Sequence, residues 1–197
     1  MEYSAGMTTK SFWYLETKKT AKYMLSALEK NSIKKLVITE NSYQTPTEYR
    51  ASRIFNGIYK RLSSLDEFLL TAILNTDIAT SKVLVLFAIM KTDRLFFEFM
   101  YEVFREKLIL GDYILKDRDI SIFFDNKKVQ SEIVSKWTEA TIQRLKQCYT
   151  RILYEAGLTA SSSGDRHIKP ANLDYKIVSH MQQNDMSAYL YAVMGDF

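Results

Sequence analysis

The chain has 197 residues, 47% of them hydrophobic, 13% aromatic and 25% charged, with only 2 Pro and 6 Gly; this excludes a disordered tail, a collagen-like chain and a linker-rich assembly. A single cysteine, Cys148, excludes an internal disulfide framework and a CxxC zinc site, and two histidines, His167 and His180, leave little for a histidine-based metal centre. The net charge of +4 is uneven: residues 1–61 carry 11 Lys+Arg against 5 Asp+Glu, residues 62–125 carry 7 against 11, and residues 126–197 carry 9 against 7, so two basic ends suited to a polyanion flank an acidic middle.

Nearly every segment reads helical, because little Pro or Gly punctuates the chain. A first helix is predicted over about 11–28, with Leu15, Met24, Leu25 and Leu28 on its apolar side. A short helix from Ile33 to about Glu40 follows, then a polar turn at Asn41–Gln44. Thr45-Pro46-Thr47-Glu48 then reads as a capping box, with Thr45 at N-cap, Pro46 at N1 and Glu48 at N3. The helix it opens buries Ala51, Ile54, Phe55, Ile58 and Leu62 and keeps Arg50, Arg53, Lys60 and Arg61 off that side. A short helix, a turn and a capped helix with a basic outer face have the sequence shape of a helix-turn-helix.

Ser64-Leu65-Asp66-Glu67 reads as a second capping box. Thr76-Asp77 separates the helix it starts from another running through Met90, and Asp93 caps a helix from Leu95 to about Leu110, stopped by Gly111. This middle is apolar on almost all sides and is the expected buried hub. Its longest apolar run, Val83–Met90, is eight residues. A spanning helix needs roughly twenty, and the first residues hold no apolar leader, so the expectation is a soluble, cytoplasmic, reduced chain.

Asp117–Phe124 reads as a short helix, Asp125–Lys128 as a turn and Val129–Lys136 as another helix. Thr138 opens a long helix that buries Ile142, Leu145, Tyr149, Ile152, Leu153 and Ala156, with Gly157 just past its end. Leu158–Ala160 and Arg166–Lys169, joined by a Ser/Gly/Asp turn, read as a β-hairpin. Two helices followed by a hairpin with a basic second strand have the order of a winged helix-turn-helix. Asn172 or Asp174 caps a further helix, and Met186–Met194 forms the last. The expected fold is therefore mainly all-α. An N-terminal helix-turn-helix-like part (1–62), a central helical hub (63–112) and a C-terminal winged-helix-like part with a small β-hairpin (113–197) pack as one unit.

Two basic faces are the candidate sites. Arg50 and Arg53 lie near a helix N-terminus, placed to enter a major groove, with Lys60 and Arg61 nearer the backbone. Arg144, Gln147 and Arg151 recur along the long helix with Lys136 and Lys146 nearby, and Arg166 and Lys169 on the wing reach for a flanking phosphate. Glu98, Glu102 and Glu106 lack the Glu-x-x-His pairs of a di-iron site and read as a solvated stripe. Asp112, Asp117 and Asp119 read as caps and turns rather than metal ligands. Cys148 reads as a structural thiol. Phe96, Phe97, Phe99, Tyr101 and Phe104 crowd one helix, so some of them could form an exposed patch for a partner. No phosphate-loop, dinucleotide, nucleophile-elbow or metalloprotease motif is present, and neither an enzyme nor a cofactor is expected.

Several stretches carry a resemblance that spans the chain in order. They include Tyr3-Ser-Ala-Gly6 with Ser11-Phe-Trp13, Ala51-Ser-Arg-Ile-Phe-Asn56, and the long Ala88-Ile-Met-Lys-Thr-Asp-Arg-Leu-Phe-Phe-Glu-Phe-Met-Tyr-Glu-Val103. Lys107-Leu-Ile-Leu-Gly-Asp112, Trp137-Thr-Glu-Ala-Thr-Ile142 and Glu155-Ala-Gly-Leu158 follow. In these the chain resembles the BrxA family of bacteriophage exclusion (BREX) defence systems. The resemblance implies an all-α DNA-binding protein with some likeness to the antitermination factor NusB, acting beside a DNA methyltransferase, a phosphatase-like protein and ATPases. Family members have been labelled inner-membrane proteins; the short apolar runs argue against that here. The family brings no catalytic motif and no fixed DNA-contact signature, so the site residues rest on the basic faces. The expected partner is double-stranded DNA, with other phage-exclusion proteins as further partners and neither a membrane nor a small-molecule substrate. The competing readings are a scaffold that joins defence components and a NusB-like RNA binder.

Overall fold

The computed structural model describes residues 2–196. After a 3-10 turn at Gly6–Thr9, Trp13 takes a left-handed conformation (φ 54°) and starts α1 (Tyr14–Leu25). The Trp13 ring lies on α3 (Glu48–Leu62) at Gly57, where a Cβ would come within 2.9 Å of it. Only glycine permits that approach.

α2 (Lys30–Ile38) packs on α3, and residues 39–47 join them, a longer connection than the three- or four-residue turn of a compact helix-turn-helix. The N-cap of α3 is Thr47, not Thr45: its hydroxyl accepts from the Arg50 amide, and Pro46 stays outside the helix. Asn41 explains the shift. Its side chain accepts from the Thr45 amide (2.8 Å) and donates to the Thr45 carbonyl (3.0 Å), holding Thr45 in the loop. α4 (Glu67–Asn75) is likewise capped by Asp66 and not Ser64, whose hydroxyl donates to the Arg61 carbonyl and closes α3.

α5 (Ile78–Thr92) is the hub: every residue from Val83 to Met90 is buried. Asp93 ends it and caps α6 (Arg94–Phe99), accepting from the Phe96 amide. A π-helical segment, Met100–Phe104, then leads into α7 (Arg105–Ile109). The crowded aromatics do not form an open patch. Phe96, Phe99 and Phe104 are buried against neighbours that include Tyr149, and Tyr189 packs on Phe97 with centroids 4.9 Å apart.

α8 runs unbroken from Asp117 to Gln130, so no turn interrupts it at Asp125–Lys128; a short α9 (Glu132–Ser135) follows, capped by Ser131. The charged run is one side of a continuing helix, pinned by Lys127. That lysine is 3% exposed, and its amine bonds Glu98 (2.6 Å) and Glu102 (2.7 Å). Glu98 also accepts from Arg94 and Tyr3. Of the acidic stripe, these two carboxylates are therefore structural rather than merely solvated.

Thr138 caps α10 (Glu139–Glu155), as the sequence predicts, and Gly157 follows at φ 83°. Of the expected hairpin only an isolated antiparallel bridge forms, Thr159 opposite Ile168; the strand pair is instead β1 (Ile114–Leu115) antiparallel with β2 (Arg166–His167). α11 (Tyr175–Gln183), capped by Asp174, and α12 (Ser187–Met194) close the chain, α12 packing on the π segment and α7. No described helix is long and apolar enough to cross a membrane.

Candidate nucleic-acid interface

Three grooves meet along α10. The largest, about 770 Å³, lies between α10, the start of α8 and the serine turn; Lys146, Arg151 and Arg166 line it. The second, about 190 Å³, shares Gln147 and Arg151 with the first and adds Lys10 and Arg144. The third, about 560 Å³, shares Tyr154 and Glu155 with the first and Phe12 with the second, and adds Lys82 and Lys169. Together seven cationic side chains face two carboxylates, Asp117 and Glu155.

What places them is local. Residues 142, 145, 149, 152 and 153 of α10 are buried, so Arg144, Gln147 and Arg151 stand outward with Gln143. The N-terminal segment is laid across α10 by Cys148, whose thiol donates to the Met7 carbonyl (3.1 Å). This carries Lys10 to the helix. Burial, and then the nearby charges of Arg61 and Lys60, hold the Lys10 amine below the ordinary lysine value, as expected where positive charge is crowded. Burial pushes the Cys148 thiol up to about 11, which suits a structural thiol and not a nucleophile.

The expected site residues divide. Arg144, Lys146, Arg151, Arg166 and Lys169 come together at the grooves. Lys60 stands exposed beside them, close enough to bear on Lys10. Arg50 and Arg53 are exposed, form no ion pair among the described residues, and lie outside the grooves, as does exposed Lys136 after α9.

Two expectations need correction. Arg61 does not face a phosphate backbone: it is 3% exposed, donates to the Ser11 carbonyl at 2.8 Å and stacks over Trp13, and burial lowers its pKa to about 10. It lies in helical phase with Ile54 and Ile58, and that phase marks it as inward. Arg166 is not a free wing residue but 4% exposed; it donates to Asp117 (2.8 Å) and to the Ser162 carbonyl, tying the turn to the start of α8. Its charge still lines the largest groove.

Among the described residues no group of His, Cys, Asp or Glu could hold a metal ion. The arrangement offers a concentration of positive charge along α10.

A family model, BrxA, matches residues 1–185. The BREX protein BrxA of Bacillus cereus (strain H3081.97) is 39% identical over 194 residues, covering 98% of this chain and 97% of that one. The chain belongs to the BrxA family of bacteriophage exclusion (BREX) phage-defence systems. A crystal structure of an uncharacterized protein from Magnetospirillum magneticum superposes with a TM-score of 0.83 over 98% of this chain and 99% of that one; at 18% identity this likeness shows the fold alone.

For this BrxA-family chain, sequence reasoning missed Lys10 and Lys82. One lies in the N-terminal extended segment and the other on the hub helix, and no local period links either to α10. Tertiary packing brings them there, with the Cys148 thiol and the buried Arg61 guanidinium both bonding carbonyls of the segment that holds Lys10.

Proposed function

We propose that this BrxA-family protein is a non-enzymatic DNA-binding component of its phage-exclusion system. It holds duplex DNA mainly by its phosphates, with weak sequence preference. The observation that carries the reading is the meeting of three grooves on α10 with seven cations against two carboxylates. Such an excess of Lys and Arg neutralises phosphates and releases counterions, which is a sequence-independent source of affinity. In this reading α8–α10 and the strand pair act as a winged helix-turn-helix, and the DNA lies along the side of α10. Lys60, Arg50 and Arg53 extend the positive surface on the N-terminal side.

The test is a gel-shift series on one duplex at rising salt, with structured RNA as competitor. Binding at low salt is expected, with log K falling by about 0.9 per neutralised phosphate for each unit of log salt. No shift at low salt contradicts the reading, and preferential displacement by RNA transfers the site to an RNA partner.

A second reading, a scaffold for other defence proteins, is favoured by a groove between the α6–α7 helix and α8. There Leu110 and Ile122 are 78% and 47% exposed, with Glu106 nearby and with Asp112 and Asp119 both paired to Lys107. An exposed apolar pair beside a polar rim suits a protein surface. A stable complex that survives nuclease treatment, formed by a protein without DNA affinity of its own, would favour it.

A further inference from the structure

The third groove is the richest of the three in aromatic side chains, with Phe12, Tyr14 and Tyr154 in its lining. Tyr154, on the last turn of α10, is 49% exposed and lines both this groove and the largest one. Tyr14, at the start of α1, lines the same groove; the Lys82 amine sits 5.8 Å from its ring centroid, and its hydroxyl is buried without a hydrogen-bond partner. Lys82 and Lys169 supply the charge. The one carboxylate present, Glu155, is already paired with Arg151 at 2.7 Å. Beside them Gly157 turns the chain at φ 83°, with open space where a Cβ would stand.

A duplex buries the faces of its bases in its own stack and offers a protein only their edges. An exposed tyrosine face therefore has nothing to stack on along an intact duplex. An unpaired base has a free face, and lysines one nucleotide away can take its phosphate. The groove, at about 560 Å³, lies within the size range of small-ligand sites and has room for a nucleoside.

We propose that this groove seats an unpaired nucleotide of a DNA strand, with the base on Tyr154 and the phosphate on Lys82 and Lys169, so that the protein prefers duplex carrying a single-stranded tail over blunt duplex. This inference rests on the DNA-binding reading and narrows its ligand from any duplex to one with an unpaired end.

The test compares a blunt duplex with the same duplex bearing a short thymidine tail, on each strand end in turn, at one salt concentration. Because the tail adds phosphates as well as bases, an abasic tail of equal length is the control. The thymidine tail is expected to raise affinity about tenfold over the abasic one, a typical gain for a single stacked base. Tyr154→Phe keeps that ratio and Tyr154→Ala brings it to about one; a melting scan of both variants confirms that they are folded. Equal affinity for thymidine and abasic tails, or a preference that survives in Tyr154→Ala, overturns the inference while duplex binding stands. Failure to bind any of these DNAs removes the DNA reading and the inference with it.

Discussion

Replacing Arg144, Lys146 and Arg151 together with alanine is expected to weaken duplex binding about a hundredfold, taking about 1 kcal/mol for each charge-assisted hydrogen bond to a phosphate that the variant can no longer make. Their contributions are not equal. Among the described residues Arg144 forms no ion pair, Lys146 is held by the Ser121 hydroxyl at 3.0 Å, and Arg151 is paired with Glu155 while 70% exposed. An exposed pair of that kind is weak in water and exchanges readily for a phosphate. The salt dependence should flatten by about one unit of slope for each phosphate left without its cation. The matched control is Lys34→Ala with Lys35→Ala and Lys176→Ala, which removes the same net charge from surfaces away from the grooves. If both triple variants bind equally weakly, binding follows overall charge and α10 has no special place.

Lys127→Met is expected to cost about 2 kcal/mol of folding stability, less than the range for removing one partner of a fully buried ion pair because water reaches Glu102 and Glu98 keeps Arg94 and Tyr3; the melting midpoint should fall by roughly 5 °C. The reason is that Lys127 is buried and bridges Glu98 and Glu102 across two helices. Glu98 would keep only Arg94 and Tyr3, and Glu102 would be left to water. The pH dependence identifies the cause. Burial alone would raise the Glu98 carboxyl, but hydrogen bonds from Lys127, Arg94 and Tyr3 outweigh it and hold the pKa below the ordinary glutamate value. In the native protein that contribution is present above the ordinary glutamate value and is lost as the pH falls through the lowered one. Lys127 has the opposite edge: burial lowers its pKa, the bonds to Glu102 and Glu98 raise it by more, and its contribution is lost only as the pH rises through that raised value. In Lys127→Met the acid edge should shrink, because a protonated Glu98 no longer needs the amine. A deficit that stays constant with pH would instead point to a packing defect.

The sequence carried most of the helices, because burial along them is periodic. α3 and α10 follow their apolar stripes, the caps at Asp93 and Thr138 act where the sequence places them, and of the two candidates Asn172 and Asp174 it is Asp174 that caps α11. Its errors have physical sources. Thr45 and Ser64 look like caps, but each is held elsewhere by a hydrogen bond from outside the helix it was to start. The Asp125–Lys128 run looks like a turn because charge marks loops as well as helix faces, and the ion pairs that keep it helical come from residues more than twenty positions away. Charge likewise suggested exposure for Arg61 and Arg166, whereas both are buried and bonded to carbonyls.

The candidate site was legible in part for a related reason. Arg144, Lys146 and Arg151 share one helix and could be grouped by spacing. Arg166 and Lys169 could be added through the hairpin. Lys10 and Lys82 join them only through tertiary packing, and together with Tyr154 they turn a basic helix face into a set of grooves.

The most direct measurement is lysine acetylation read by mass spectrometry, with and without duplex DNA at low salt. If the DNA lies over the grooves of α10, Lys10, Lys82, Lys146 and Lys169 become protected while Lys34, Lys35 and Lys176 react as before. Protection confined to Lys34 and Lys35, or spread evenly over all lysines, would contradict that placement.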